Sequence, residues 1–228
     1  MGNTIDWAAI PNTAVKVLTS PAEFFRGMPK TGGVAEPLVF LIAMAVAAGI
    51  LQAVFGLLGF RIAAGFGMGL GSLVVTPILA AAFSFVGAAV LFVIWKLMGS
   101  GESYETAYRC GAYMGALAPV TVLLGVIPYI GAAAGLLLMT SFLVTASVEV
   151  HNLPSRKAWI VFGIIGGLFL LMNLSAQMAA RRMQNSAEEF QKMSEEAAKQ
   201  MGRHSEEMAK ELEKARKAME RMKEDGSR

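Results

Sequence analysis

From Pro37 to Ala180 long apolar runs alternate with short polar interruptions, and a densely charged stretch follows. Uncharged runs of this length are what crosses a hydrocarbon core about 30 Å thick. Five crossings are expected. The first covers Leu38 to Leu58 and holds no ionisable residue. The second covers Ser72 to Leu97, with Pro77 near its start. A proline there removes a backbone bond and predicts a kink. Trp95 and Lys96 read as the exit of this span: an aromatic at the interface and a snorkelling cation. The third and fourth crossings, Cys110 to Val126 and Ile130 to Val148, are joined by little more than Pro128 and Tyr129. Two such segments with almost no loop make a helical hairpin inside the bilayer. Pro119, in the middle of the third, predicts a second kink. The fifth covers Ala158 to Ala179, between Arg156-Lys157 and Arg181-Arg182.

Small residues recur four apart on these spans: Gly111 and Gly115, Gly131 and Gly135, Ala45 and Gly49. Such pairs let helix backbones approach closely in lipid and predict a tight bundle. Between the first two spans, Gly59 to Gly71 carries alternating glycines at 65, 67, 69 and 71. No Lys-Ser/Thr follows, so it is no phosphate loop, and it reads as a turn at the membrane surface. Residues 1–12 show no clear period. Ser20-Pro21-Ala22-Glu23 then has the form of a capping box opening a short helix. That helix places Phe24, Phe25 and Met28 on adjoining faces, beside Arg26 and Lys30. Two readings stay open: a helix lying in the headgroup region with rings down and cations up, or one packed on the membrane body.

Charge separates the chain into parts. Hydrophobic residues make up 55% of 228, above the roughly 45–50% usual for soluble domains. The net charge of +3 hides an asymmetry. Residues 1–180 carry 8 Lys/Arg and 6 Asp/Glu, whereas 181–228 carry 12 and 11. The expected division is an N-terminal segment, 1–36, a membrane domain, 37–180, and a charged tail, 181–228. The tail has no proline and is rich in good helix formers. Apolar or small residues recur three and four apart along it: Met183, Ala187, Phe190, Ala197, Met201, Met208, Leu212, Ala215, Met219 and Met222. A helix of that length extends on the order of 65 Å. It is expected to continue the fifth span and to pair with a partner or lie on the membrane; its thin Met/Ala stripe makes at most a weak coiled coil. The fold class is thus all-α: a polytopic five-span bundle with a short N-terminal interfacial helix and a long charged C-terminal helix.

Five spans put the termini on opposite sides. Seven cations (Lys16, Arg26, Lys30, Lys96, Arg109, Arg156 and Lys157) fall on the N-terminal side, and four (Arg61, Arg181, Arg182 and Lys192) near the other. The excess favours a cytoplasmic N-terminus, although Arg181-Arg182 pulls the other way. No charged region runs directly into an apolar one at the N-terminus, so the first span is expected to serve as the insertion signal.

Candidate chemistry is sparse. The lone Cys110 excludes an internal disulfide and a cysteine zinc site, and reads as a small core residue. His204 sits among tail charges and reads as solvated. Glu102, Glu105 and Arg109 share a face and, with Glu149 and His151, form a candidate polar patch for binding or proton handling. Glu149 is the one acid placed to fall inside the bilayer, where an acid is costly and usually functional. Its other reading is a headgroup-level ion pair with Arg156 or Lys157. Glu105 and Arg109, four apart, also suit a simple helix pair. The spans hold no pair of Asp, no His cluster and no Ser with a base. No enzymatic activity, cofactor or metal is therefore expected. Scattered basic charge matched by acid gives no reason to expect nucleic acid.

Several short motifs fall in an order that resembles the Yip family of Ypt/Rab-interacting membrane proteins, in its bacterial branch. They are Leu18-Thr19-Ser20-Pro21-Ala22-Glu23-Phe24-Phe25 with Met28-Pro29, then Glu36-Pro37-Leu38, Gly101-Glu102-Ser103-Tyr104, Tyr113 with Ala118-Pro119, Ile127-Pro128-Tyr129-Ile130-Gly131, and Ser155 to Ala158. The resemblance covers about residues 15–180 and leaves out the charged tail. It implies five spans and a cytoplasmic N-terminus. Eukaryotic members act in vesicle traffic, bind Rab-type GTPases and associate with one another. This chain lacks their long N-terminal region and the Tyr-Gly-Pro type motif before the first span, which speaks against GTPase binding here. The expected role is non-enzymatic: organising membrane or partner proteins in a bacterial cytoplasmic membrane, with the bilayer, a second copy or other membrane proteins as partners. The alternative is a small transporter or channel, with Glu149, Pro77 and Pro119 lining its path.

Overall fold

The structure is a computed structural model that describes residues 7–58, 72–127 and 129–225. The expected turn at Gly59 to Gly71 lies outside the described residues, as does Pro128 of the hairpin. The described chain is helical and divides into two compact units, Met1–Ser175 and Ala176–Arg228.

The first unit opens with α1 (Ala9–Thr19) and α2 (Pro21–Gly27). No clear period marked the start of α1. The helix turns a corner at Ser20, whose N–H closes α1 on the Lys16 carbonyl at 2.9 Å. Pro21 sits at the head of α2, where its missing N–H costs nothing. The capping box does not form. Ser20 makes no side-chain cap bond, because its backbone already ends one helix and begins the next. Glu23 pairs instead with Lys16 at 3.2 Å. Phe25 and Met28 are buried, in one core with Val17, Trp95, Tyr113 and Phe142. Phe25 meets Phe142 edge-on at 6.5 Å, and Phe24 meets Tyr113 at 5.0 Å. Of the two readings of α2, packing on the membrane body is the one the rings adopt.

Among the described residues, four helices are long and apolar enough to cross a membrane: α3 (Ala35–Leu57), α4 (Ser72–Leu97), α7 (Ile130–Glu149) and α8 (Ser155–Asp225), the last within its opening part. α4 runs unbroken through Pro77. Val74, Ile78 and Phe83 on α4, and Ile164, Leu168 and Phe169 on α8, are exposed. So many exposed large apolar side chains suit a hydrocarbon solvent and not water.

The third expected crossing, Cys110 to Val126, is not one long helix. It is split into α5 (Tyr104–Tyr113), a 3₁₀ turn (Met114–Ala116) and α6 (Leu117–Leu124). Pro119 supplies the physical reason. It has no N–H for the carbonyl of Gly115 and its ring crowds that carbonyl, so the turn before it tightens.

Glycines set the close approaches. A methyl at Gly115 would lie 2.6 Å from Leu41 Cδ1 on α3, and one at Gly135 would lie 3.4 Å from Thr121 Cγ2 on α6. Gly111 is looser, since a methyl there would lie 3.8 Å from Leu91 Cδ1. A methyl at Gly166 on α8, absent from the small-residue pairs, would lie 2.5 Å from Thr140 Oγ1. Gly131 is the tightest, because a Cβ there would overlap the Leu124 carbonyl. That carbonyl is backbone and cannot rotate away. Gly131→Ala is expected to cost about 1–3 kcal/mol by forcing the α6–α7 corner apart. A melting temperature equal to the parent's, measured in detergent, would show that the corner is looser than described.

In the second unit α8 carries its apolar stripe in the open. Met183, Phe190, Met201, Met208 and Leu212 are all exposed.

Candidate functional site

The residues of the candidate patch come together around one short segment, 26–36, which links α2 to α3. Its backbone explains why it lies where it does. Gly32 and Gly33 adopt φ of 122° and 84°, a region open to glycine and strained for other residues. Their turn brings Gly33 onto α5, where two side chains one turn apart grip the two peptide groups on either side of its Cα. Glu105 Oε1 accepts from the Gly33 N–H at 2.6 Å, and Arg109 Nη1 donates to the Gly33 carbonyl at 2.7 Å. Glu105 and Arg109 therefore act as a clamp on Gly33. Arg109 is almost fully buried, and its Nη2 reaches Glu36 at 3.6 Å, while its Nε has no hydrogen-bond partner among the described residues. Tyr113 donates to Glu36 at 3.3 Å.

Two further cations lock the same segment. Lys30 donates to Glu102 at 2.7 Å and to the Val150 carbonyl at 3.0 Å, so it bridges the loop before α5 and the loop after α7. Thr106 Oγ1 donates back to the Lys30 carbonyl at 3.2 Å. The loop before α5 is itself ordered by Gly99, with φ of 101°, and by Ser103, which caps α5 by accepting the Thr106 N–H at 3.2 Å. Arg26 makes a two-pronged pair with Glu149, at 2.8 and 3.0 Å. Such fork-to-carboxylate contacts are geometrically specific. Glu149 is the last residue of α7, and its partner is Arg26, not Arg156 or Lys157 as the sequence suggested. Lys157 donates instead to the Met98 carbonyl at 2.6 Å, beyond the end of α4.

His151 occupies a pocket of its own beside these locks. Its Nδ1 lies 2.7 Å from Ser100 Oγ, and its ring stacks on Trp95 with centroids 3.9 Å apart. Trp95 Nε1 donates to Ser147 Oγ at 2.8 Å. Trp95 is thus buried in the core and is not the interfacial anchor expected of it. Ser100 Oγ also accepts the Glu102 N–H. His151 Nε2 is buried, with no hydrogen-bond partner among the described residues. Burial pushes the His151 pKa down to about 4; Glu102 opposes this, and Lys30 and Lys96 add to it.

The arrangement holds structure together and leaves no carboxylate of the patch poised over a reactive group. Glu102, Glu105 and Glu149 each already accept from the N-terminal segment. Sequence reading missed that segment's part: Arg26, Lys30, Gly33 and Glu36 supply the partners. Opposite charges on one side of the membrane domain were the available signal.

The family model of the Yip1 domain matches residues 15–176, from α1 to the membrane part of α8. The chain belongs to the Yip1 family. The match takes in the segment that links α2 to α3 and both side chains, Glu105 and Arg109, that clamp Gly33. It stops where the charged tail begins. No curated protein and no solved structure matches the chain. Membership and four span-length apolar helices make this Yip1 protein an integral membrane protein.

A pH test follows from His151. The unfolded imidazole takes its proton near pH 6.5, and the folded one only near the lowered value. The unfolded state therefore binds more protons in between, and stability is lost as pH falls through that window. A loss of about 1 kcal/mol per pH unit is expected between about pH 6.5 and about 5. Thermal unfolding across that range checks it. His151→Gln, which cannot titrate, should flatten the slope, and an unchanged slope would assign the effect elsewhere.

Proposed function

We propose that this Yip1 protein is a non-enzymatic organiser of membranes or membrane proteins, and that its tail is an oligomerisation arm that meets a second copy. The observation that carries this is the exposed row Met183, Phe190, Met201, Met208 and Leu212 in the second unit. These residues follow helical spacing on a strongly charged helix. In water, an apolar row of this kind gains by being covered with a second helix. The candidate patch points the same way, because its acids and cations are spent on holding the N-terminal segment. A transporter with Glu149 in its path is the weaker reading, since Arg26 occupies that carboxylate.

In this reading the broken segment α5–3₁₀–α6 makes the third of five crossings. Its non-helical carbonyls are tolerated where they are buried in protein. The N-terminus then lies in the cytoplasm of a bacterium and the tail on the other side, in keeping with the excess of cations at the N-terminal end. Nucleic acid and Rab-type GTPases are not among the expected partners.

Chemical crosslinking in native membranes tests the arm. The full chain is expected to give discrete oligomers, and a chain lacking residues 183–228 is expected to lose most of them. Phe190→Glu with Met201→Glu should do the same without shortening the chain. A full chain that stays monomeric, or oligomers indifferent to both the deletion and the double variant, would overturn the assignment.

A further inference from the structure

Charge at the N-terminal end of the membrane unit does not balance. Seven cations, Lys16, Arg26, Lys30, Lys96, Arg109, Arg156 and Lys157, face five described carboxylates, Glu23, Glu36, Glu102, Glu105 and Glu149. Four of those carboxylates are taken by Lys16, Arg109, Lys30 and Arg26. The fifth, Glu105, is spent on the Gly33 N–H. Lys96, Arg156 and Lys157 are left with no carboxylate among the described residues.

Lys96 and the partner atom of Lys157 both belong to the end of α4 and the residue after it, and Arg156 adjoins Lys157 in sequence. The Lys157 ammonium donates to the Met98 carbonyl at 2.6 Å, which ties the first turn of α8 to the chain just past α4. Lys96 sits in the last turn of α4, with its ammonium 5.5 Å from the Phe92 ring centroid. Arg156 is exposed beside Lys157. An ammonium has three donors and a guanidinium five, so most of their capacity is unused. Two large apolar side chains flank them in the open: Leu97, 81% exposed, and Trp159, 48% exposed. Cations with free donors beside exposed apolar side chains, at the end of two span-length helices, match a molecule with an anionic head and hydrocarbon chains.

We propose that Lys96, Arg156 and Lys157 form a binding site for the phosphate head of an anionic phospholipid, whose chains lie along Leu97 and Trp159. His151 adds no charge here, because its imidazole stays neutral at neutral pH. A zwitterionic lipid offers the same phosphate with a cation attached, so the three charges discriminate between the two. A basic side chain near an anionic lipid surface is worth about a fivefold preference.

The test uses the full chain in detergent, titrated with phosphatidylglycerol or phosphatidylcholine, with retained lipid counted by intact-complex mass spectrometry. The parent is expected to retain phosphatidylglycerol in preference. Arg156→Gln, on an exposed side chain without a protein partner, should cut that preference about fivefold, and Lys96→Gln with Arg156→Gln should cut it further. Lys157→Gln also breaks the Met98 contact, so the pair without it keeps the test independent of folding. Lys16→Gln, whose parent side chain is paired with Glu23, should leave the preference unchanged. Equal retention of both lipids by the parent, or a preference that survives in the double variant, would overturn the site. Displacement of phosphatidylglycerol by glycerol phosphate at equal concentration would overturn the lipid assignment.

Discussion

Replacing Trp95 with alanine is expected to cost about 3–5 kcal/mol of stability, the range for deleting a buried aromatic. The indole is 1% exposed and joins three parts of the membrane unit. It comes from α4, donates to Ser147 on α7 at 2.8 Å, meets Phe162 on α8 edge-on at 6.2 Å and stacks on His151. Alanine leaves a cavity between helices and uncovers the imidazole. Ser147 keeps its own bond to the Leu143 carbonyl at 2.6 Å, so the hydroxyl is not stranded and the loss is mainly of packing. Trp95→Phe retains most of the ring and loses the indole N–H, and about 1 kcal/mol is expected for it. The lone thiol provides the readout. Cys110 is buried, and a thiol-reactive dye labels it only when the unit opens. Labelling during a thermal ramp should begin on the order of 10 °C lower in Trp95→Ala than in the parent. Equal onset in the two would place the indole against lipid, in the anchor role the sequence suggests.

Trp95 also shows how far the sequence reaches. Hydropathy located α3, α4, α7 and the opening of α8 within a few residues, because each is a long apolar run that must satisfy its own backbone in lipid. It located the tail helix by composition. It misjudged what lies at the ends of those runs. An aromatic followed by a lysine has the same one-dimensional pattern whether the ring faces the interface or another helix. Only the partner decides, and the partner here, His151, is 56 positions on. The same limit hid the lock. Glu102, Glu105, Arg109, Glu149 and His151 were recognisable as unusual at a membrane boundary. Their partners lie 72 to 123 residues away for the contacts of Glu105 with Gly33 and of Glu149 with Arg26. No local rule pairs residues so distant. The corner at Ser20 failed for a different reason: one residue serves two helices, and the capping pattern assumes it serves one.

Glu36→Gln is expected to destabilise the membrane unit by about 3 kcal/mol, although Glu36 is itself half exposed. The cost falls on Arg109. Its side chain is 1% exposed, and the Glu36 carboxylate at 3.6 Å is the charge it pairs with. Removing one partner of such a pair strands an uncompensated charge, worth about 3–5 kcal/mol, and the solvent around Glu36 puts this case at the lower end. Arg109→Met with Glu36→Gln removes the stranded charge as well, and leaves mainly the unpaired Gly33 carbonyl, worth about 1–3 kcal/mol. The double variant should therefore melt higher than Glu36→Gln alone. Arg109→Lys should not rescue the parent's stability, because an ammonium lacks the planar fork that reaches Gly33 and Glu36 together. Limited proteolysis adds a local readout. Gly33 is held through both its N–H and its carbonyl by α5, so the peptide bonds around Gly32 and Gly33 should be cut faster once Arg109 is replaced. If Glu36→Gln and the double variant melt alike and neither is cut faster, water reaches the guanidinium and the clamp does not fasten the N-terminal segment.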